Sequence, residues 1–276
     1  MVGDEVEIRV LREDDLVFVD ELVQQAGWNQ LPGDWLRVLR YEPHGCFTAL
    51  SGDRLIGTAT TTTYGKDLGW IGMMLVHPDF RRRGIATALM GRSLSYLRDN
   101  DVQCIKLDAS PEGQFVYEQL GFTAEWKFHR WERAPDHSSQ TIRPNPVVLR
   151  VGQLDQLDRI AFGADRCALL NLLDEVSFTL SNDDGFGMIR CGRRASYLGP
   201  VTAATAESAE HIIRSLVGPI IGRIFWDIPG LNTKAVALAE QIGFLPVRDL
   251  TRMTLGQMQQ EPNTSMQFAI TSPETS

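Results

Sequence analysis

Apolar residues along this chain recur in two rhythms, and the switches between them mark out its elements. Val6, Ile8 and Val10 repeat every second residue, the period of a half-buried strand. Leu16, Val19, Leu22 and Val23 instead share one face of a helix predicted over 14–26, and a second helix is predicted over 34–39. The runs 46–51 and 54–63 flank Gly52-Asp53, a pair suited to a tight turn, and so predict a hairpin. A strand over 70–76 gives way, after Pro78 and an Arg/Gly turn, to a helix from Gly84 to about residue 99. A strand over 104–108, a helix that carries Tyr117 and stops at Gly121, and a strand over 123–130 follow. This order predicts a mixed α/β (α+β) sheet.

Residues 134–146, Ala-Pro-Asp-His-Ser-Ser-Gln-Thr-Ile-Arg-Pro-Asn-Pro, have no apolar period and read as a linker. Beyond them a similar order returns. Helices are predicted over 154–162 and 166–175, strands over 176–180, 185–191 and 195–201, a helix over 207–217, and a strand over 221–227. The last helix, over 232–242, ends in Gly243-Phe244 and echoes Leu120-Gly121-Phe122. The chain therefore divides into a first domain, 1–133, the linker 134–146, and a second domain, 147–257. The polar segment 258–276 is expected to be disordered.

Length and composition narrow the function. The 276 residues, 43% hydrophobic, suffice for two domains of ordinary size. A net charge of −8 and a pI near 5.2 speak against general binding to nucleic acid or anionic membrane, which needs a basic face, but leave room for a local basic pocket. Cys46, Cys104, Cys167 and Cys191 form no CxxC pair, so neither a metal site nor a disulfide framework is expected. The chain shows no charged-then-apolar leader and no bilayer-length apolar run, so the expected location is cytoplasmic. A homodimer stays open.

The chemistry concentrates between Met73 and Leu89, where a buried-strand pattern runs through Arg81-Arg82-Arg83-Gly84 into an apolar helix. The first N–H groups of a helix lack intrahelical partners and sit at the positive end of its dipole. With three guanidinium groups beside them they suit a pyrophosphate, and Gly84 lets such a group approach the backbone. Neither GxxxxGK[ST] nor a GxGxxG after a strand is present. The arrangement Arg81-x-x-Gly84-x-Ala86, preceded by Val76-x-Pro78, resembles the acetyl-CoA motif R/Q-x-x-G-x-G/A of the GCN5-related N-acetyltransferase (GNAT) superfamily. The resemblance covers 6–133. It implies acetyl-CoA as co-substrate, held by Met74, Leu75, Val76, Arg81, Arg82, Arg83, Gly84, Ile85, Ala86 and Thr87.

Tyr117-Glu118-Gln119-Leu120-Gly121-Phe122 resembles the Y-x-x-x-G-F signature of the same superfamily, which implies that the Tyr117 hydroxyl lies near the CoA sulfur. Attack of an amine on a thioester expels a thiolate, and a phenol that is protonated at neutral pH can supply its proton. Asp108, just before Ser110-Pro111, is a candidate general base and equally a turn carboxylate; His77 and Glu112 read as turn and helix-start residues. No Ser/His/Asp set appears, which favours direct transfer without an acyl-enzyme. Trp28 and Asn29 are candidate acceptor-binding residues, with Trp35 as a further wall and Trp226-Asp227 able to face the same cleft if the domains pack face to face.

Where 81–86 stood, the second half reads Leu198-Gly199-Pro200-Val201-Thr202-Ala203-Ala204-Thr205-Ala206-Glu207, without arginine, and Leu238 stands at the tyrosine position. With Ala161-Phe162-Gly163-Ala164-Asp165-Arg166, the tandem arrangement resembles bacterial two-domain acetyltransferases, here with a degenerate second domain. It implies one acetyl-CoA per chain. The function expected is N-acetyl transfer to the primary amine of a small-molecule or amino-acid-like acceptor. Protein lysine or N-terminal acetylation, and non-catalytic acyl-CoA sensing, are the alternatives.

Overall fold

Each predicted strand forms, with the one predicted over 221–227 starting only at Ile224, two further strands follow residue 244 that the sequence reading did not include, and all of them join one sheet. The computed structural model describes residues 6–135 and 151–276, the side chains of 151–153 excepted; from residue 136 onward the predicted linker lies outside the described residues. The first half contains β1 (Val6–Val10), α1 (Leu16–Gln25), α2 (Pro32–Tyr41), β2 (Cys46–Ser51), β3 (Arg54–Tyr64), β4 (Leu68–Val76), α3 (Ile85–Asp99), β5 (Cys104–Ala109), α4 (Pro111–Gln119) and β6 (Thr123–Arg133). The second contains α5 (Val151–Phe162), α6 (Cys167–Asp174), β7 (Ser177–Asn182), β8 (Gly185–Arg190), β9 (Ser196–Ala203), α7 (Ala206–Val217), β10 (Ile224–Ile228), α8 (Thr233–Gln241), β11 (Leu245–Gly256) and β12 (Gln267–Ala269). Helix α2 begins two residues before its predicted start, because Pro32 suits a first turn and the Asp34 carboxylate accepts the Leu31 N–H at 2.7 Å.

The halves do not form separate sheets. The strand order is β1-β2-β3-β4-β5-β11-β6-β10-β9-β8-β7, with β12 on β9. Thus β11 from the second half enters between β5 and β6, while β6 from the first half lies between β11 and β10. Two related ion pairs hold this exchange. Opposite Asp108 in the register stands Arg252, whose Nε and Nη2 donate to its carboxylate at 2.6 and 3.0 Å. Opposite Asp227 stands Arg130, donating at 2.8 and 2.6 Å. Both pairs are buried, and removing one partner from a buried pair leaves an expensive uncompensated charge. Each pair therefore favours the exchanged register. Aromatic faces cover the guanidinium groups, Trp70 and Trp126 at 4.4 and 4.5 Å from Arg252, Phe225 at 5.1 Å from Arg130.

Tyr64, Leu68 and Trp70 of the first half bury together with Leu154, Phe162, Leu169 and Phe186 of the second, so one apolar cluster spans both. In each half the middle of the sheet then opens into a wedge. Parallel β4 and β5 pair over Leu68–Trp70 and then diverge; β9 and β10 pair over Ser196–Leu198 and diverge in the same way.

The expectation of disorder over 258–276 is corrected. Phe268, Ala269 and Ile270 are buried, β12 pairs with β9, and the Ile270 N–H donates to the Asp227 carbonyl at 3.1 Å. Polarity misled because the polar side chains satisfy one another: Ser272 and Thr275 hydroxyls lie 3.0 Å apart, and Gln267 Nε2 donates to the Ala161 carbonyl at 2.5 Å. No described helix is long and apolar enough to cross a membrane.

Candidate active site

After β4 a short 3-10 turn over Pro78–Phe80 redirects the chain, and α3 begins at Ile85. Gly84 holds a φ of +79° at the N-cap, a conformation that glycine adopts without steric cost, and a Cβ there would meet open space. The first amide of α3 with a helical partner is that of Ala88, bonded to the Gly84 carbonyl at 2.9 Å, so helix geometry leaves the N–H groups before it directed outward. They open on a groove of about 1240 Å³ lined by Met74, Leu75, Val76, Arg81, Arg82, Gly84, Ile85, Ala86 and Thr87. Arg81 is steadied by donation from Nε to the Val76 carbonyl at 3.2 Å. Arg83 departs from its predicted place. Its guanidinium lies 5.1 Å from the Phe80 ring centre and is not among the groove-lining groups, because the turn directs it onto that aromatic face.

The groove meets a second cavity of about 520 Å³ at the mouth of the β4–β5 wedge, and Trp28, Met74, Ser110, Tyr117, Val247 and Arg248 line both. Ser110 caps α4, accepting the Gly113 N–H at 3.3 Å, and α4 presents Tyr117 at the junction. Burial pushes the Tyr117 hydroxyl up to about 12, so it is protonated throughout the neutral range. Beyond Trp70, β4 bulges away from β3 at Met73, which has a φ of +46°, and its other edge has lost β5 as a partner. Backbone groups along that edge are therefore open to an extended ligand.

The other predicted residues move. Asp108 faces the inner cavity, but Arg252 occupies both carboxylate oxygens, which makes Asp108 an anchor for β11 rather than a free base; burial pushes its carboxyl up to about 6 against the pull of that guanidinium. Asn29 also reaches the cavity, yet its Oδ1 accepts the Arg194 and Ala195 N–H groups at 2.8 and 3.0 Å, and its Nδ2 donates to the Ala195 carbonyl. It ties the halves together. Trp35 is core, and Trp226 is wholly buried with its Nε1 donating to the Phe268 carbonyl. Of the acceptor candidates, Trp28 keeps a wall position.

Sequence reasoning missed the far wall: Arg130, Glu132, Arg194, Phe225, Arg248 and Glu274. None carries a motif, since strand exchange and segment 258–276 bring them there. The one trace was Gly72 inside a strand, where a Cβ would come within 2.3 Å of the Glu274 carbonyl oxygen.

The second wedge is different. Segment 267–270 runs inside it, with β12 on β9 and Ile270 on β10. Only Ala204 and Thr205 separate β9 from α7, and the Thr205 hydroxyl accepts the Ser208 N–H at 3.1 Å. That helix start is self-capped.

An open wedge, a helix start flanked by arginines and a half-buried tyrosine meet at one site. Residues 11–122 match the model of the acetyltransferase (GNAT) family, and residues 154–269 match a second acetyltransferase (GNAT) domain model. The chain belongs to the GNAT acetyltransferases and carries two of their domains in tandem. A candidate acetyltransferase of Pyrococcus horikoshii, known from its crystal structure, is similar over 100% of this chain and 97% of its own, with 25% identity and a TM-score of 0.85. An acetyltransferase of Pectobacterium atrosepticum is 34% identical over 32% of this chain and 64% of its own length. N-alpha-acetyltransferase 30 of Schizosaccharomyces pombe is 31% identical over 32% and 64%. The matches span between 39% and 64% of the length of these and the other curated relatives. Among the described residues no group of three or more His, Cys, Asp or Glu side chains is placed to hold a metal.

Proposed function

We propose that this protein transfers the acetyl group of acetyl-CoA directly to the primary amine of a small, amino-acid-like acceptor. In this reading the amides of Ile85, Ala86 and Thr87 with Arg81 and Arg82 hold the pyrophosphate, and the exposed edge of β4 receives the pantetheine arm. The amine attacks the thioester carbon, the C–N bond forms, the C–S bond breaks, and Tyr117 gives its proton to the departing sulfur. The proton that nitrogen loses as the intermediate collapses restores the phenol.

The observation that carries a small acceptor is the far wall: Arg194, Phe225, Arg248 and Glu274, all from beyond the first half, enclose the cavity into which the thioester would point. A polypeptide acceptor calls for an open groove instead. Arg194 and Arg248 form no ion pair among the described residues, which supports an acceptor bearing an anionic group beside its amine. Thiol release from acetyl-CoA across amino acids, polyamines, aminoglycosides and peptides tests this. Turnover with amino-acid-like amines is expected; preference for peptide N-termini would favour the protein-acetylating reading, and binding of acetyl-CoA without transfer to any amine would favour a sensor.

A further inference from the structure

A substrate ammonium must lose a proton before it can attack, and Asp108 is committed to Arg252. Three carboxylates line the inner cavity: Asp108, Glu132 and Glu274. Glu132 is paired with Arg223 at 3.0 Å. Of these three, Glu274 alone has no ion-pair partner among the described residues; its Oε2 accepts a hydrogen bond from Gln30 Nε2 at 3.1 Å, and its own backbone N–H also supports the carboxylate.

Its position is fixed from both sides. Trp70 Nε1 donates to the Pro273 carbonyl at 3.0 Å and the Tyr64 hydroxyl to the Thr275 carbonyl at 2.6 Å. Two residues further on, Arg166 Nη1 donates to the Ser276 carbonyl at 2.6 Å, and Arg252 Nη2 to the Ser276 hydroxyl at 3.0 Å. Gly72 admits the Glu274 backbone against β4. These contacts preorganise a carboxylate in a cavity it shares with Tyr117.

Resting on the acetyl-transfer reading, we propose that Glu274 is the general base that deprotonates the acceptor ammonium. Glu274 takes one proton from R–NH3+ and passes it to solvent through the cavity mouth; the freed amine then attacks the thioester. Across the whole reaction R–NH3+ and acetyl-CoA give the N-acetyl amide, CoA thiol and one proton. Segment 258–276 thus serves both halves, filling the second wedge with 267–270 and arming the first with Glu274.

Burial pushes the Glu274 carboxyl above the ordinary glutamate range, with Arg190 of β8 pulling the other way and Asp34 of α2 adding to the rise. Arg130 of β6, Tyr197 of β9, Asp227 of β10, Arg248 of β11 and Arg194 also face this region. Arg190 is itself tied to the Gly199 and Thr271 carbonyls at 2.6 and 2.9 Å. A base must be ionised to act, so activity should rise with pH through this raised value.

The test uses the full chain and its E274Q variant, which keeps the shape and an acceptor for Gln30. With an amine from the screen that is protonated at neutral pH, E274Q should lower kcat on the order of 100-fold and lose the acidic limb of the pH profile. With hydroxylamine, already neutral at pH 7, the two proteins should differ only severalfold. Calorimetric affinity for acetyl-CoA should match in both, and an infrared titration should show one carboxyl band above the ordinary glutamate range that E274Q lacks. Equal kcat and pH profiles with the protonated amine, or an equal loss with hydroxylamine, would overturn Glu274 as base while leaving acetyl transfer intact. No thiol release by the native protein with any amine would sink acetyl transfer and this role together.

Discussion

The two wedges of this molecule begin as near copies and end as opposites. In both, a pair of parallel strands separates after three residue pairs, and an aspartate on the second strand binds an arginine on a strand lent by the other half. In the first, eight residues between β4 and α3 carry the arginines and Gly84, leaving the helix amides open. In the second, two residues connect β9 to α7, Thr205 caps the helix itself, Pro200 brings no N–H to the strand, and segment 267–270 fills the gap. A shared scaffold therefore says little about function until the contents of each wedge are known. The halves are also not spare copies of each other, since the filled wedge supplies the wall, and the proposed base, of the open one.

The largest effect is expected where the scaffold is shared. Replacing Arg252 by Met strands the buried Asp108, and replacing Arg130 by Met strands Asp227; each should cost about 3–5 kcal/mol in denaturant unfolding. Loss at one site alone would show that the exchanged strands are held differently. Next, Gly84→Glu sets a carboxylate in the anion site on a backbone of φ +79°, and should weaken acetyl-CoA on the order of 100-fold, about 2.7 kcal/mol. The counterpart Thr205→Glu should leave affinity unchanged, with calorimetric stoichiometry near one. Binding abolished by Thr205→Glu would reverse the assignment of the wedges.

Tyr117→Phe should lower kcat roughly 10- to 100-fold with acetyl-CoA affinity unaltered. Because burial raises the Tyr117 hydroxyl to about 12, its acid form persists and kcat should not fall on the alkaline side below about pH 10. An alkaline limb near neutrality that vanishes in Tyr117→Phe would contradict the environment described. The smallest difference separates neighbours: Arg82→Ala should weaken acetyl-CoA about tenfold, whereas Arg83→Ala, which removes a guanidinium stacked on Phe80, should change it less than about twofold.

Local features of the sequence carried local structure well. Alternation located β1 and β2 to the residue, and Gly84 marked the start of α3, where the structure adds its φ of +79°. The groove residues from Met74 to Thr87 were legible, Arg83 apart, because a strand, a turn and a helix start lie consecutively in the chain. The inner cavity was not. Asp108 and Asn29 looked available because their partners, Arg252 and residues 194–195, stand about 144 and 165 positions away.

Periodicity, turn chemistry and motif spacing thus determined by themselves the element order as far as α8, the doubling of the fold and the arginine–glycine loop, all of them interactions between near neighbours in the chain, whereas β11 and β12 went unread. Only the tertiary structure decided that β6 and β11 change places, that a polar segment becomes buried, and that Glu274 faces Tyr117's cavity. Those outcomes depend on burying charges in pairs and on satisfying polar groups across long separations. No local pattern encodes which distant partner completes the pair.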